Sequence, residues 1–207
     1  MLKVGITGNL FSGIDHVCEE FQKRGIKIFD ADIALKFILN YREDVTRNIR
    51  IQLGESVFSH GALDPNKFNT TEKFDRLLDL AQYDLMKCYE TWRLKNREHS
   101  YTLFKSNILF ERKFDKSMNF IINVFKPRDI RAHDMMESTG MSLIEIDNLF
   151  STELNELTKN QDSTYIIHNY EDSFLSMEDQ VKSTDDRIKM KINSSNIERI
   201  NLKNMLL

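Results

Sequence analysis

The chain has 207 residues, 41% of them hydrophobic, with 14 Phe, a composition that supports one sizeable core and at most a small insertion. A formal net charge of −3 gives no nucleic-acid footprint, and only 2 Pro and 7 Gly argue against a sandwich or a disordered chain. The 2 Cys, Cys18 and Cys88, make no disulfide framework, no apolar run reaches membrane-span length, and Met1 leads straight into a strand. The expectation is therefore a cytoplasmic protein, without a signal peptide and without membrane or nucleic-acid partners.

In chain order, Leu2 to Ile6 reads as a first strand, with Thr7 leading into the loop Gly8-Asn9-Leu10-Phe11-Ser12-Gly13-Ile14-Asp15. The glycine spacing is that of a phosphate-binding loop, G-x-x-x-x-G-K-[ST], but Ile14 stands where the lysine belongs and Asp15 where the hydroxyl residue belongs. A helix is expected over Ile14 to Arg24, with Val17, Cys18 and Phe21 on its apolar face and Gly25 after it. Ile26 to Phe29 is a second strand ending in Asp30-Ala31-Asp32, and a helix with Ile33, Ala34, Phe37 and Ile38 as its apolar face follows. Ligands of open α/β sheets sit beyond the carboxyl ends of strands, so the loop and the Asp30/Asp32 pair point to one edge.

Residues 45 to 68 read as mixed, with Leu63-Asp64-Pro65 a turn into a helix over Phe74 to Trp92. Strands are expected at Tyr101 to Phe104, at Phe120 to Phe125 and at Thr164 to Ile167. The unbroken apolar run at 120–125 fits a parallel sheet covered on both faces. Ser142 and Glu145 form a capping box with Met141 and Ile146 as its staple, ahead of a helix carrying Leu149, Phe150, Leu154 and Leu157. A helix over Ser173 to Lys182 closes a doubly wound, three-layer α/β/α P-loop-like domain over residues 1–182, with a helical insertion near 60–100 and a lid near 127–145. Residues 183–207 read as an extension. Arg187 to Ile192 alternates basic and apolar residues as an edge strand would, and Ser195 and Glu198 suggest a further capped helix before Ile200, Leu202 and Met205. From 187 to 207 five basic residues stand against one acidic, which makes the extension the candidate surface for a protein partner or a homo-oligomer, dispensable for folding of the core.

The pattern resembles dephospho-coenzyme A kinase, a P-loop kinase acting on a ribose 3′-hydroxyl. The family's Thr-Gly-Gly-x-Gly-Ser-Gly-Lys-Ser-Thr-Val stretch matches Thr7, Gly8, Ser12, Gly13 and Val17. Its Asp-Ala-Asp is Asp30-Ala31-Asp32, and its later Gly-x-Leu-Asp-Arg stretch matches Gly61, Leu63 and Asp64, with Pro65 in the arginine's place. Its Pro-Leu-Leu-Phe-Glu is similar to Asn107-Ile108-Leu109-Phe110-Glu111, and its Ile-x-Asn to Ile167-His168-Asn169.

The resemblance implies ATP with magnesium as cofactor and assigns candidate roles. Asp32 is the catalytic carboxylate and a metal ligand, and Gly8, Asn9, Ser12, Gly13 and Asp15 hold the nucleotide, Asp15 also as a replacement metal ligand. Asp30, Asp64, Glu111 and Arg131 lie on the substrate. The departures imply that nucleotide binding is weak or absent. Besides Ile14 and Asp15, the lid's two arginines are replaced by Asp134 and Ser138, with Arg128 and Arg131 nearby in a different register. Three functions are compatible with these residues: a degenerate, phage-type pseudoenzyme that binds a partner or a phosphorylated small ligand, an active nucleotide or coenzyme kinase with non-standard cations, or a structural interaction protein. The Asn/Lys/Ile/Phe-rich, proline-poor composition suits an AT-rich genome, viral ones included.

Overall fold

A computed structural model describes residues 1–64, 67, 71–171 and 173–205, with side chains left out at 71 and from 195 onward. Pro65 lies outside the described residues. The chain divides into two compact units, Met1–Ile28 with Asn96–Leu207, and Phe29–Lys95.

The first unit is built on a parallel sheet. Its strands are β1 (Leu2–Gly8), β2 (Lys27–Asp30, which ends in the second unit), β5 (Tyr101–Lys105), β6 (Phe120–Phe125) and β7 (Tyr165–His168), in the order β2-β5-β1-β6-β7. β1 runs parallel to β5 and β6, with Ile6 opposite both Lys105 and Ile122, and β6 runs parallel to β7. The chain turns to one side of β1 for β2 and β5 and to the other for β6 and β7, which opens a crevice at the carboxyl end of β1. The helix α1 (Ile14–Lys23) buries Ile14, Val17, Cys18 and Phe21 against Val4, Ile6, Leu103 and Ile122. α5 (Arg128–Thr139), α6 (Leu143–Phe150) and α7 (Glu156–Gln161) follow β6. The capping box forms as the sequence predicts: the Ser142 side chain accepts from the Glu145 amide, the Glu145 carboxylate receives the Ser142 amide, and Met141 packs on the cluster containing Ile146. The expected single helix behind it is two, because α6 ends at Phe150 and Leu154 lies in the link before Asn155 caps α7.

The last helix, α8 (Met177–Met205), corrects the reading of the chain end. Residues 187–192 are helical, not an edge strand, and the helix runs through both the expected boundary at 182/183 and Ser195, so no helix begins there. The alternation misled because a four-residue spacing contains a two-residue one. Val181 and Ile188 are buried in the core and Ile192 packs on it, whereas Met190, equally apolar, faces solvent. Asp185, fully buried, accepts from the Tyr101 hydroxyl at 2.8 Å, from Arg24 Nε at 2.7 Å and from Lys189 Nζ at 2.9 Å. α8 is thus fastened to β5 and to the end of α1 by a buried hydrogen-bonded charge. The side chains of Ile200, Leu202 and Met205 lie outside the described residues.

The second unit holds α2 (Ala31–Tyr41), α3 (Glu43–Leu53), a two-stranded hairpin of β3 (Phe58–Ser59) and β4 (Ala62–Leu63), and α4 (Thr71–Lys95), which packs on α2 and α3. α3 is a helix where the sequence reads as mixed, anchored by Val45 and Ile49 one turn apart amid charged neighbours. In α2 the buried residues are Ala31 and Ile38; Ile33 and Phe37, expected on the apolar face, are exposed. No described helix is long and apolar enough to cross a membrane.

Candidate active site

The loop after β1 keeps its fold without its lysine. Gly13 has φ 79°, a conformation costly for a side chain, and a Cβ there would lie 2.0 Å from Asn169 Nδ2. That amide donates to the Ser12 carbonyl at 2.8 Å, so the Asn169 of the late Ile-x-Asn element clamps the loop. Gly8 is equally confined, since a Cβ would meet Ser12 Oγ at 2.2 Å and the Val124 carbonyl at 2.9 Å. Ser12, 1% exposed, turns its hydroxyl into the loop, and neither that oxygen nor Asn9 Oδ1 has a hydrogen-bond partner. Asn9 Nδ2 donates to the Leu154 carbonyl at 3.3 Å.

The two exchanged positions behave differently from one another. Ile14 is 5% exposed and belongs to the core cluster. Asp15, its side chain 77% exposed, is ion-paired to Lys105 Nζ at the end of β5. Asp15 is therefore not the cap of its helix, and α1 starts from Gly13 with no side-chain hydrogen bond to its first amides. Lys105 itself is 9% exposed. Sequence reading missed it because it ends an apolar strand and belongs to no recognised motif. Its signal was a charge in a strand otherwise buried at every position.

A second group of charges holds the loop from the lid side. Arg131, 1% exposed, donates from Nη1 to the Leu10 carbonyl at 2.7 Å and to Glu153 at 3.1 Å, and from Nη2 to Glu156 at 2.5 Å. Its Nε donates to the Lys126 carbonyl at 3.2 Å, and the guanidinium lies 4.3 Å above the Phe150 ring. Glu153 Oε1 in turn accepts the Leu10 amide at 2.5 Å, so a carboxylate sits on a loop N–H of the kind that receives phosphate. Arg131 thus serves the loop and two glutamates. Lys126 pairs with Asp134, one of the altered lid positions, and Arg128 with Asp147 at 2.9 Å. Glu111 accepts Lys159 Nζ at 2.9 Å. Lys159 is buried, a partner that sequence reading did not find.

Asp30, Asp32 and Asp64 belong to the second unit. Asp30, expected on the substrate, caps α2, accepting the Ile33 amide at 2.9 Å. Asp32 lies half-buried in the first turn of α2, on the rim of an apolar groove of about 390 Å³ lined by Leu35, Leu39, Leu63, Phe74 and Leu77. Asp64 follows β4, its amide donating to the Val57 carbonyl at 3.0 Å.

A divalent cation does not fit the loop as this chain builds it. Ile14 offers no donor, the Asp15 carboxylate is taken by an ammonium, and no group of three His, Cys, Asp or Glu among the described residues is arranged to hold a metal.

A parallel sheet with a glycine loop between its first strand and helix defines a P-loop kinase-like fold. The crystal structure of a Thermus thermophilus protein shares it at TM-score 0.74 with 22% identity, covering 91% of this chain and 97% of that one. Dephospho-CoA kinase from Campylobacter jejuni shares it at TM-score 0.55 with 16% identity, over 90% and 96% of the chains. The family model for dephospho-CoA kinase matches residues 2–174, and the chain belongs to that family. It is 27% identical over 179 residues to the dephospho-CoA kinase of Chlamydia pneumoniae, covering 82% of this chain and 88% of the relative.

Proposed function

We propose that this chain is a dephospho-CoA-kinase-family protein that has given up ordinary magnesium-ATP phosphoryl transfer and acts by binding a phosphorylated ligand or a partner on the retained fold. The observation carrying this is the ion pair between Asp15 and Lys105, with Ile14 turned into the core. Phosphoryl transfer depends on cations placed against the phosphates and on a metal held by the loop hydroxyl. Here the lysine is gone and the hydroxyl's successor is a neutralised carboxylate. Loss of one positioned electrostatic contact costs about 2.7–4 kcal/mol, some 10²–10³-fold. Calorimetric titration with ATP and magnesium is expected to give binding weakened by at least that factor relative to an intact loop. A dissociation constant in the low micromolar range would overturn the reading.

The alternative is a working kinase with rearranged cations. It is favoured by the intact Asp30-Ala31-Asp32 and by the family's reaction, which uses ATP with magnesium. Transfer of label from ATP to dephospho-CoA, absent under the first reading, separates the two.

A further inference from the structure

Building on the proposed function, we infer that Lys105 and Asp15 are a charge-exchanged anchor: the Lys105 ammonium takes the place of a divalent cation and receives a phosphate or pyrophosphate group at the Gly8–Gly13 loop. Binding is then independent of metal.

Three independent features of the loop converge on an anion. Lys105 holds a largely buried ammonium at the carboxyl end of β5, beside the point where β1 enters the loop. The first turn of α1 has no side chain capping its amides, and these carry the positive end of the helix dipole. The Ser12 hydroxyl, 1% exposed, is turned into the loop with no partner, an unmet buried group that an anion's oxygen would satisfy.

The same geometry refuses a metal. A divalent ion at the loop would sit close to the ammonium and be repelled by it, and the Asp15 carboxylate already pairs with that ammonium. Asp15 is then an internal competitor. Its exposed side chain pairs with Lys105 until an anion displaces it, and the pair holds the ammonium in position meanwhile.

The test is a titration of inorganic pyrophosphate into the full-length protein, once in a chelator and once in excess magnesium, with thermal melts as a fold control. The expected result is binding in the chelator that magnesium does not strengthen. Lys105→Gln is expected to weaken that binding at least about tenfold, the scale of a charged hydrogen bond. Asp15→Asn is expected to strengthen it several-fold by removing the competitor. A purely structural ion pair would lower stability in both variants without moving the two affinities in opposite directions. Should Lys105→Gln fail to fold, the exposed Asp15→Asn decides alone, and unchanged or weaker binding overturns the inference. Absence of pyrophosphate binding, or binding only with magnesium, overturns it too. Transfer of label from ATP would defeat the proposed function while leaving the Lys105 result standing. Equal binding by Lys105→Gln would defeat this inference while leaving the lack of transfer intact.

Discussion

At the residue scale, Arg131 shows how a side chain's neighbours decide its role. The sequence offers it as a substitute lid arginine for substrate. In the fold its donors meet the Leu10 and Lys126 carbonyls and two glutamates, and 1% of it is exposed. Arg131→Ala is therefore expected to destabilise the protein by about 3–5 kcal/mol, because it strands two carboxylates and a loop carbonyl. Urea denaturation measures this. A wild-type midpoint with weakened ligand binding would instead return Arg131 to the substrate. Ile14 and Asp15 give a second prediction. The pair Ile14→Lys and Asp15→Ser restores the loop's chemical pattern, yet it removes an apolar side chain from the core and the partner of Lys105. Melts should show lower stability, by about 2 kcal/mol or more for the lost burial alone. Titration should show some gain in ATP affinity, with little transfer because the lid cations are spent on Asp134 and Asp147. Robust turnover by the double variant would contradict this.

The loop glycines were legible from their spacing, and the Asp pair and Glu111 through the resemblance to the kinase family's motifs. Lys105, Glu153 and Lys159 were not. Each meets its partner across 22 to 90 residues of sequence, and no local period records a long-range ion pair.

At the scale of elements, α8 is where sequence and structure part most. β1, α1, β2 and α4 were legible because their apolar spacing matches one period only. Over 187–192 both periods fit, and burial against α1 and β7 decides for the helix. Deletion after Lys182 removes Thr184, Asp185 and Ile188 from the core and is expected to abolish the folded spectrum, against the expectation of a dispensable extension. Ile188→Ala is the gentler test and should cost about 2–5 kcal/mol. Circular dichroism on both decides; a native spectrum and melt for the truncated chain would show that α8 only decorates the core. Val45 and Ile49 in α3 teach the complementary lesson. Two buried residues a turn apart suffice to hold a helix whose other positions are mostly charged or polar.

At the scale of the whole molecule, the buried junction around Asp185 sets a pH dependence. Burial by itself would raise the Asp185 carboxyl, but hydrogen bonds from Lys189, Tyr101 and Arg24 outweigh it and hold the group below the usual carboxylate value. A depressed folded value means that its stabilisation is complete above the unfolded carboxyl's pKa, about 4, and is lost as the pH falls below it. Tyr101 is shifted the other way, raised by burial and by the Asp185 charge. Its contribution is complete below the unfolded phenol's value, about 10, and is lost at higher pH. Thermal melts across pH should show a plateau falling on both sides. Asp185→Asn should lower the plateau by about 1.5–3 kcal/mol and flatten the acid side. An unchanged acid limb in that variant would place the acid sensitivity elsewhere.

The family assignment makes ATP-dependent phosphoryl transfer to dephospho-CoA the default expectation for this chain, and the Asp15–Lys105 pair is the reason to expect otherwise. The most direct test is transfer of the labelled γ-phosphate from magnesium-ATP to dephospho-CoA by the purified protein. The account predicts no product above the enzyme-free control. Turnover in the ordinary kinase range, about 1–100 per second, would contradict it.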